Sequence, residues 1–246
     1  MKEQEPSSTS PQHLREADRS FHYLLAAWTL LQLIQGAFTG VIHDETYYWL
    51  WSQNLDWGYY EQPPAVAFYI WLSDLLLNGH LSIRFTAIML SSWSIWNIWK
   101  MSGSENWKAA WLIIAACWFS HSGFIAVPDT FLIFASTLFL RYGASYLLAP
   151  NALKAVGLGL ILAMLSYTKY HAIVVLIPVV LVNWRFMGRW DFWLIPIIGT
   201  ILYLPHIFWQ IEYDFPPIRF HVQNRQIEPW TISFPVSYIL GQLLMF

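Results

Sequence analysis

The chain has 246 residues, of which 57% are hydrophobic, 18% aromatic and 11% charged. A soluble domain carries about 25% charged residues, so this composition excludes a molecule wetted on all sides and points to a protein of the bilayer. A formal net charge of -2 without a basic cluster excludes a nucleic-acid binder, and the single cysteine, Cys117, excludes an intrachain disulfide framework.

Residues 1–20 are polar, with Pro6, Ser7, Ser8, Thr9, Ser10 and Pro11, and read as a short disordered cytoplasmic tail. The apolar stretch that follows is too long for a signal peptide and lacks a small-residue cleavage site, so it predicts a retained span. A membrane helix needs about 20 mostly apolar residues. The candidates are 21–42, 83–99, 109–127, 131–148, 155–168, 171–184 and 192–209; the fifth and sixth are short and meet at Lys169. A last apolar run starts near Pro235 and stops at Phe246, which predicts either a very short helix or a longer protein of which this is the N-terminal part. The fold class expected is all-α, a polytopic membrane protein with about seven to eight spans over residues 21–246.

Loop charge sets the orientation. With the tail in the cytoplasm, Lys2, Arg15, Arg19, Lys100, Lys108, Lys154, Arg185 and Arg189 fall inside, whereas Arg84, Lys169, Arg219 and Arg225 fall outside and Arg141 falls within a span. The segment between Ile42 and Ile83 has no Lys or Arg but holds Asp44, Glu45, Asp56, Glu61 and Asp74, and reads as a large outer loop over residues 43–82. A second outer loop is expected over residues 210–234. The first is crowded with Tyr47, Tyr48, Trp49, Trp51, Trp57, Tyr59 and Tyr60, rings that favour the headgroup zone. It predicts a helix lying in the interface, a turn at Gly58, the stiff Pro63-Pro64 pair, and a second interfacial helix over 64–77.

Chemistry-bearing residues collect at this outer face. Asp44-Glu45 follows the first span; a poorly solvated carboxylate there can act as a base, or Asp44 can cap the interfacial helix. Glu61, before the two prolines, is either held rigidly towards a site or part of a turn. Asp129, in Pro128-Asp129-Thr130, is either a second active-site acid or a helix cap. Lys169 is flanked by apolar sequence on both sides; an ionisable group at such depth reads as functional, with snorkelling to the interface as the alternative. Arg84, Arg219 and Arg225 face the same side, near His171, His206 and His221. Together these cations suit a phosphate leaving group. None of the histidines has a metal-site spacing.

Taken in order, Asp44-Glu45 with Tyr47-Tyr48, Gly58-Tyr59-Tyr60, Pro63-Pro64, Arg84, Pro128-Asp129, Lys169-Tyr170, Pro205 and Trp209 resemble the GT-C superfamily of polyprenyl-phosphate-sugar glycosyltransferases. Within it, they resemble the bacterial branch of the dolichyl-phosphate-mannose–protein mannosyltransferase family, which includes lipid A aminoarabinose transferases. The resemblance implies transfer of a sugar from a polyprenyl-phosphate donor to a lipid, glycan or protein acceptor, with inversion, at the extracytoplasmic face of a bacterial inner membrane. It implies Asp44, Glu45 and Asp129 as catalytic residues. For substrate binding it implies Tyr47, Tyr48, Tyr60, Glu61, Arg84, Lys169, His221 and Arg225. It makes no cofactor certain and leaves room for a divalent metal near Glu61. A transporter is the rival from another class; it predicts two repeated halves with interrupted helices at the bilayer midplane, and no such repeat is found.

Overall fold

The structure, a computed structural model, describes residues 11–102, 123–220 and 231–245. Among these the secondary structure is wholly helical. Helix α1 covers Pro11–Phe38, α2 His43–Ser52, α3 Ala65–Asp74 and α4 His80–Met101. After residues 103–122, α5 covers Pro128–Leu148 and α6 Ala152–Ser166. A short 3-10 turn, Tyr170–Ala172, leads into α7, Ile173–Val182; two further 3-10 turns lead to α8, Leu194–Glu212. The four-residue α9, Pro216–Arg219, and α10, Ser233–Met245, follow.

Long-range polar contacts show that the helices run back and forth between two ends. At one end, Lys100 of α4 pairs with Asp18 of α1 at 2.9 Å, and the Trp99 indole donates to the same carboxylate at 3.1 Å. At the other, Arg84 of α4 reaches the carbonyls at the end of α1, and Lys169, beyond α6, reaches Asp129 at the start of α5. Helix α1 starts at Pro11, inside the segment expected as a tail; the Asp18 contacts with α4 give this polar stretch a reason to be helical. The expected spans at 83–99, 131–148, 155–168 and 192–209 coincide with α4, α5, α6 and α8 to within a few residues. Most of the candidate at 109–127 lies outside the described residues.

Among the described residues two helical stretches, Pro128–Leu148 and Asp191–Glu212, are long and apolar enough to cross a membrane; a third counts if the α1 stretch from Asp18 and α2 form one bent pair. Of the seven to eight spans expected, two or three are thus found by length and composition among the described residues. Helix α6 is apolar but has 15 residues, and α7 has 10. Helix α4 is long enough, but Ser82, Arg84, Ser94 and Asn97 interrupt its apolar surface and are buried. Bilayer-spanning bundles pack closely where side chains are small. Between α6 and α8 a Cβ on Gly159 would meet Ile198 at 2.7 Å, and one on Gly199 would meet Leu162 at 2.8 Å. The two glycines are what allow these helices to touch.

Candidate functional site

The corner between α1 and α2 builds the first part of the site. The α1 stretch from Asp18 and α2 meet at 87°, so if α1 crosses the bilayer α2 lies along its surface. Helix α2 begins at His43 with Ile42 as its N-cap, and Glu45, three residues on, accepts from the Ile42 backbone N–H at 3.1 Å. Glu45, not Asp44, is thus the capping carboxylate.

Glu45 is completely buried and meets an equally buried Arg84. The Arg84 Nε donates to Glu45 Oε1 at 2.7 Å and Nη2 to Oε2 at 2.6 Å. The remaining guanidinium donors go to the carbonyls of Gly36 (3.1 Å), Thr39 (2.9 Å) and Gly40 (2.8 Å) and to the Thr39 hydroxyl (2.8 Å). Oε1 of Glu45 also accepts from the Ala126 backbone N–H at 3.0 Å. One ion pair therefore closes the open carbonyls at the end of α1, caps α2, and ties both to α4 and to the turn before α5. A buried charge pair is tolerated when its other lone pairs and protons are satisfied, as they are here. No donor of Arg84 is left over for a phosphate.

Asp44 points the other way. It is exposed, and the imidazole of the still more exposed His43 lies 3.7 Å from its carboxylate. Helices α2 and α5 and the Glu61 loop bring Asp44, Glu61 and Asp129 close enough for all three charges to act on the Tyr48 phenol. Tyr47 lies under the influence of Glu61 and Tyr60 in the same way. Asp129 accepts two hydrogen bonds from the Lys169 ammonium, both at 2.9 Å, and the pair is only partly buried. Three carboxylates and one lysine, spread over more than a hundred residues of sequence, thus gather at one end of the bundle. Tyr60 stands exposed at the rim, its ring 5.4 Å from that of Phe220. His221 and Arg225 lie outside the described residues.

The floor under this group is aromatic. Tyr59 stacks on Trp51 with ring centres 4.5 Å apart, and its hydroxyl donates to the carbonyls of Trp51 and Asn54. Burial pushes the Tyr59 phenol above its ordinary range, so it serves as a neutral brace. Helix α8 then clamps the loop. Its Trp209 indole donates to Asp56 at 2.9 Å, and its His206 Nδ1 lies 2.6 Å from the Trp57 carbonyl. A bond to a carbonyl requires the proton on Nδ1, which leaves Nε2 to accept from the Tyr170 hydroxyl at 3.2 Å. Gln210 completes the set by donating to that hydroxyl at 2.6 Å. Tyr170 is the neighbour of Lys169, so α8 holds the loop between α2 and α3 and the lysine together. Trp209 is legible in the sequence as a matching residue; the clamp by His206 and Gln210 is not, since its signal is only the spacing 206, 209, 210 on one helical face.

Gly58 shows how closely this clamp fits. A Cβ there would come within 2.3 Å of the Trp209 ring. Gly58→Ala is expected to push the indole off Asp56 and cost about 1–3 kcal/mol, the usual penalty of overpacking. Thermal unfolding in detergent checks this, with Trp209→Leu in the same background as the relief: the alanine should be tolerated better once the ring is gone.

Beside the clamp lies a cleft of about 660 Å³ lined by Leu55, Trp57, Pro64, Ala65, Phe68, Phe131, Met164 and Tyr167, with Asp56 as its acidic member. Its back is sealed where the Ala65 N–H at the start of α3 donates to the Tyr167 carbonyl at 3.2 Å. Among the described residues no three His, Cys, Asp or Glu side chains come together as a metal site.

The chain is similar to a lipid A galacturonosyltransferase of Rhizobium johnstonii, with 27% identity over 221 residues. The match takes in 84% of this chain but 46% of that protein, so the chain spans about half the length of the curated relative it matches. No protein-family model matches the chain, and no solved structure does.

Proposed function

We propose that this chain carries the catalytic residues of a membrane glycosyltransferase of the GT-C type. It would move a sugar from a polyprenyl-phosphate donor to a lipid, glycan or protein acceptor at the extracytoplasmic face of the inner membrane. The observation that carries this reading is the partly buried Asp129–Lys169 ion pair, held by two hydrogen bonds of 2.9 Å, with Asp44 left exposed at the start of α2. The likeness to a lipid A galacturonosyltransferase supports the same class of acceptor and chemistry.

In this mechanism Asp44 is the base, because it is the carboxylate of the group that is exposed and outside any strong ion pair. It takes the proton of the acceptor hydroxyl as that oxygen attacks the anomeric carbon. The bond from that carbon to the phosphate oxygen breaks, and the polyprenyl phosphate leaves with the electron pair, inverting the configuration. Lys169 turns from Asp129 to the departing phosphate, a preorganised cation where negative charge develops. Asp129 holds it ready before the donor arrives. Tyr47, Tyr48, Tyr60 and Glu61 line the sugar. Glu45 and Arg84, expected as direct participants, act instead as positioning residues that fix the base-bearing helix. The apolar cleft suits the first isoprene units of the donor, leaving the sugar at the water-facing end.

The test is transfer of labelled sugar from polyprenyl-phosphate-sugar in membranes carrying the complete reading frame, as wild type, Asp44→Asn and Asp129→Asn at matched levels. Transfer by wild type and its loss in Asp44→Asn supports the reading. Equal transfer by wild type and Asp44→Asn removes Asp44 as the base, and absence of transfer by wild type from every polyprenyl donor overturns the function.

A further inference from the structure

Arg141 has no part in the site above. It stands on α5 beyond Asp129, about 18 Å further along the helix at about 1.5 Å per residue, towards the end where Asp18 meets Lys100. It is half-buried in a helix apolar enough to cross a membrane. One nitrogen donates to the Asn97 side-chain oxygen at 2.9 Å, and the guanidinium lies over the Trp96 ring at 4.4 Å. Asn97 is held in turn against Thr137 at 3.5 Å. Both partners are neutral. Among the described ion pairs Arg141 appears in none, although Arg84 and Lys169, the other cations set deep in the bundle, each have a carboxylate. A cation at membrane depth without a counter-ion is costly and marks a binding site by default. Among the described residues one of its five N–H donors is engaged, by Asn97.

Trp96 also belongs to a second feature. With Leu25, Thr29, Leu33, Ser92 and Trp93 it lines an open groove of about 670 Å³ between α1 and α4. Of its three polar members, the Thr29 and Ser92 hydroxyls satisfy each other at 2.8 Å and the His22 imidazole bonds the Asp18 carbonyl at 2.6 Å, so the rest of the lining is apolar. Asn97 is within about one helical turn, or 6 Å, of the end of α4 at Met101, a depth that a headgroup reaches by modest sinking or by arginine snorkelling. The same end of the bundle carries Lys100, Lys154 and Arg185, the excess of cations that marks the leaflet rich in anionic lipid. An apolar groove one of whose walls, Trp96, also carries a guanidinium with no carboxylate among the described residues has the chemistry of a phospholipid with a net negative headgroup. A guanidinium grips phosphate with two parallel bonds.

We propose that Arg141 and Trp96, with the α1–α4 groove, form a binding site for an anionic phospholipid of the leaflet opposite the candidate catalytic end. The phosphate sits on the Arg141 guanidinium and one acyl chain lies in the groove. The site depends on none of the residues assigned to sugar transfer, so it stands or falls independently of that reading.

The experiment is native mass spectrometry of the purified protein in detergent, titrated with phosphatidylglycerol and phosphatidylcholine of identical acyl chains. Wild type is expected to retain one phosphatidylglycerol in preference to phosphatidylcholine. Arg141→Met should lower that preference about fivefold, the weight of one cation at an anionic leaflet, whereas Arg219→Gln, on α9 beyond the far end of α8 and paired with Asp214, should leave it unchanged. Equal retention of the two lipids by wild type, or an unchanged preference in Arg141→Met, overturns the proposal. Should Arg141→Met not fold, wild type labelled with phosphatidylglycerol bearing a photoreactive acyl chain decides the matter. Adducts on residues 25–33 or 92–96 support the site, and adducts only elsewhere overturn it.

Discussion

Arg84→Met is expected to cost about 3–5 kcal/mol, enough to abolish the folded protein at ordinary growth temperature. The substitution removes a guanidinium with no solvent exposure and leaves the buried Glu45 carboxylate without a cation. It also strips the carbonyls of Gly36, Thr39 and Gly40 of their donors at the end of α1. Glu45→Gln alone should cost less, since an amide oxygen still accepts from the Ile42 and Ala126 N–H groups. The double variant is the informative one. With both charges gone, no unpaired ion is buried, so Glu45→Gln/Arg84→Met should be no less stable than Arg84→Met alone, a strongly non-additive pair. Thermal unfolding of the four proteins in one detergent measures the coupling. Additive losses would mean that the pair is not the strut that its geometry describes.

Asp44→Asn should do the reverse: leave folding alone and remove transfer. The side chain is exposed and meets one weak partner, so the amide should change stability by no more than about 0.5 kcal/mol. A positioned general base contributes about 10²–10⁴-fold to rate, and transfer from a polyprenyl-phosphate-sugar donor should fall by that factor with donor affinity little changed. The contrast with its neighbour is the sharper result. Asp44 and Glu45 adjoin in sequence, but one change should act on rate and the other on stability. If Asp44→Asn keeps its rate, Glu61→Gln is the next substitution to test, because Glu61 bears on the same tyrosines and Asp129 is already committed to Lys169.

Much of the architecture is legible in the amino-acid order alone. Low charge and long apolar runs force helices, because a backbone in hydrocarbon must satisfy its hydrogen bonds within each segment. Acids without cations mark the first outer loop, and the prolines and Gly58 mark its turns. The order of Asp44, Tyr47, Glu61, Asp129 and Lys169 points to one chemistry. Helix ends are less legible. Helix α1 reaches back to Pro11 through polar residues, because Asp18 finds Trp99 and Lys100 some eighty residues away, and local composition carries no trace of such a partner.

Which side chains of the candidate site are buried is decided only by the folded chain. Asp44 and Glu45 are chemically alike and adjacent, and nothing local says which of them is buried. A helix turns successive side chains about 100° apart, so when α2 bends away from α1, Glu45 swings under the corner onto Arg84 while Asp44 is left facing outward. In the same way Arg84, Lys169 and Arg141 look equivalent as isolated cations in apolar sequence. What separates them is long-range: Arg84 meets a carboxylate and three carbonyls, Lys169 a carboxylate at an open rim, and Arg141 a neutral amide and an indole beside a groove. The amino-acid order sets which charges enter the bundle. Tertiary packing sets which are neutralised and which are left incompletely engaged.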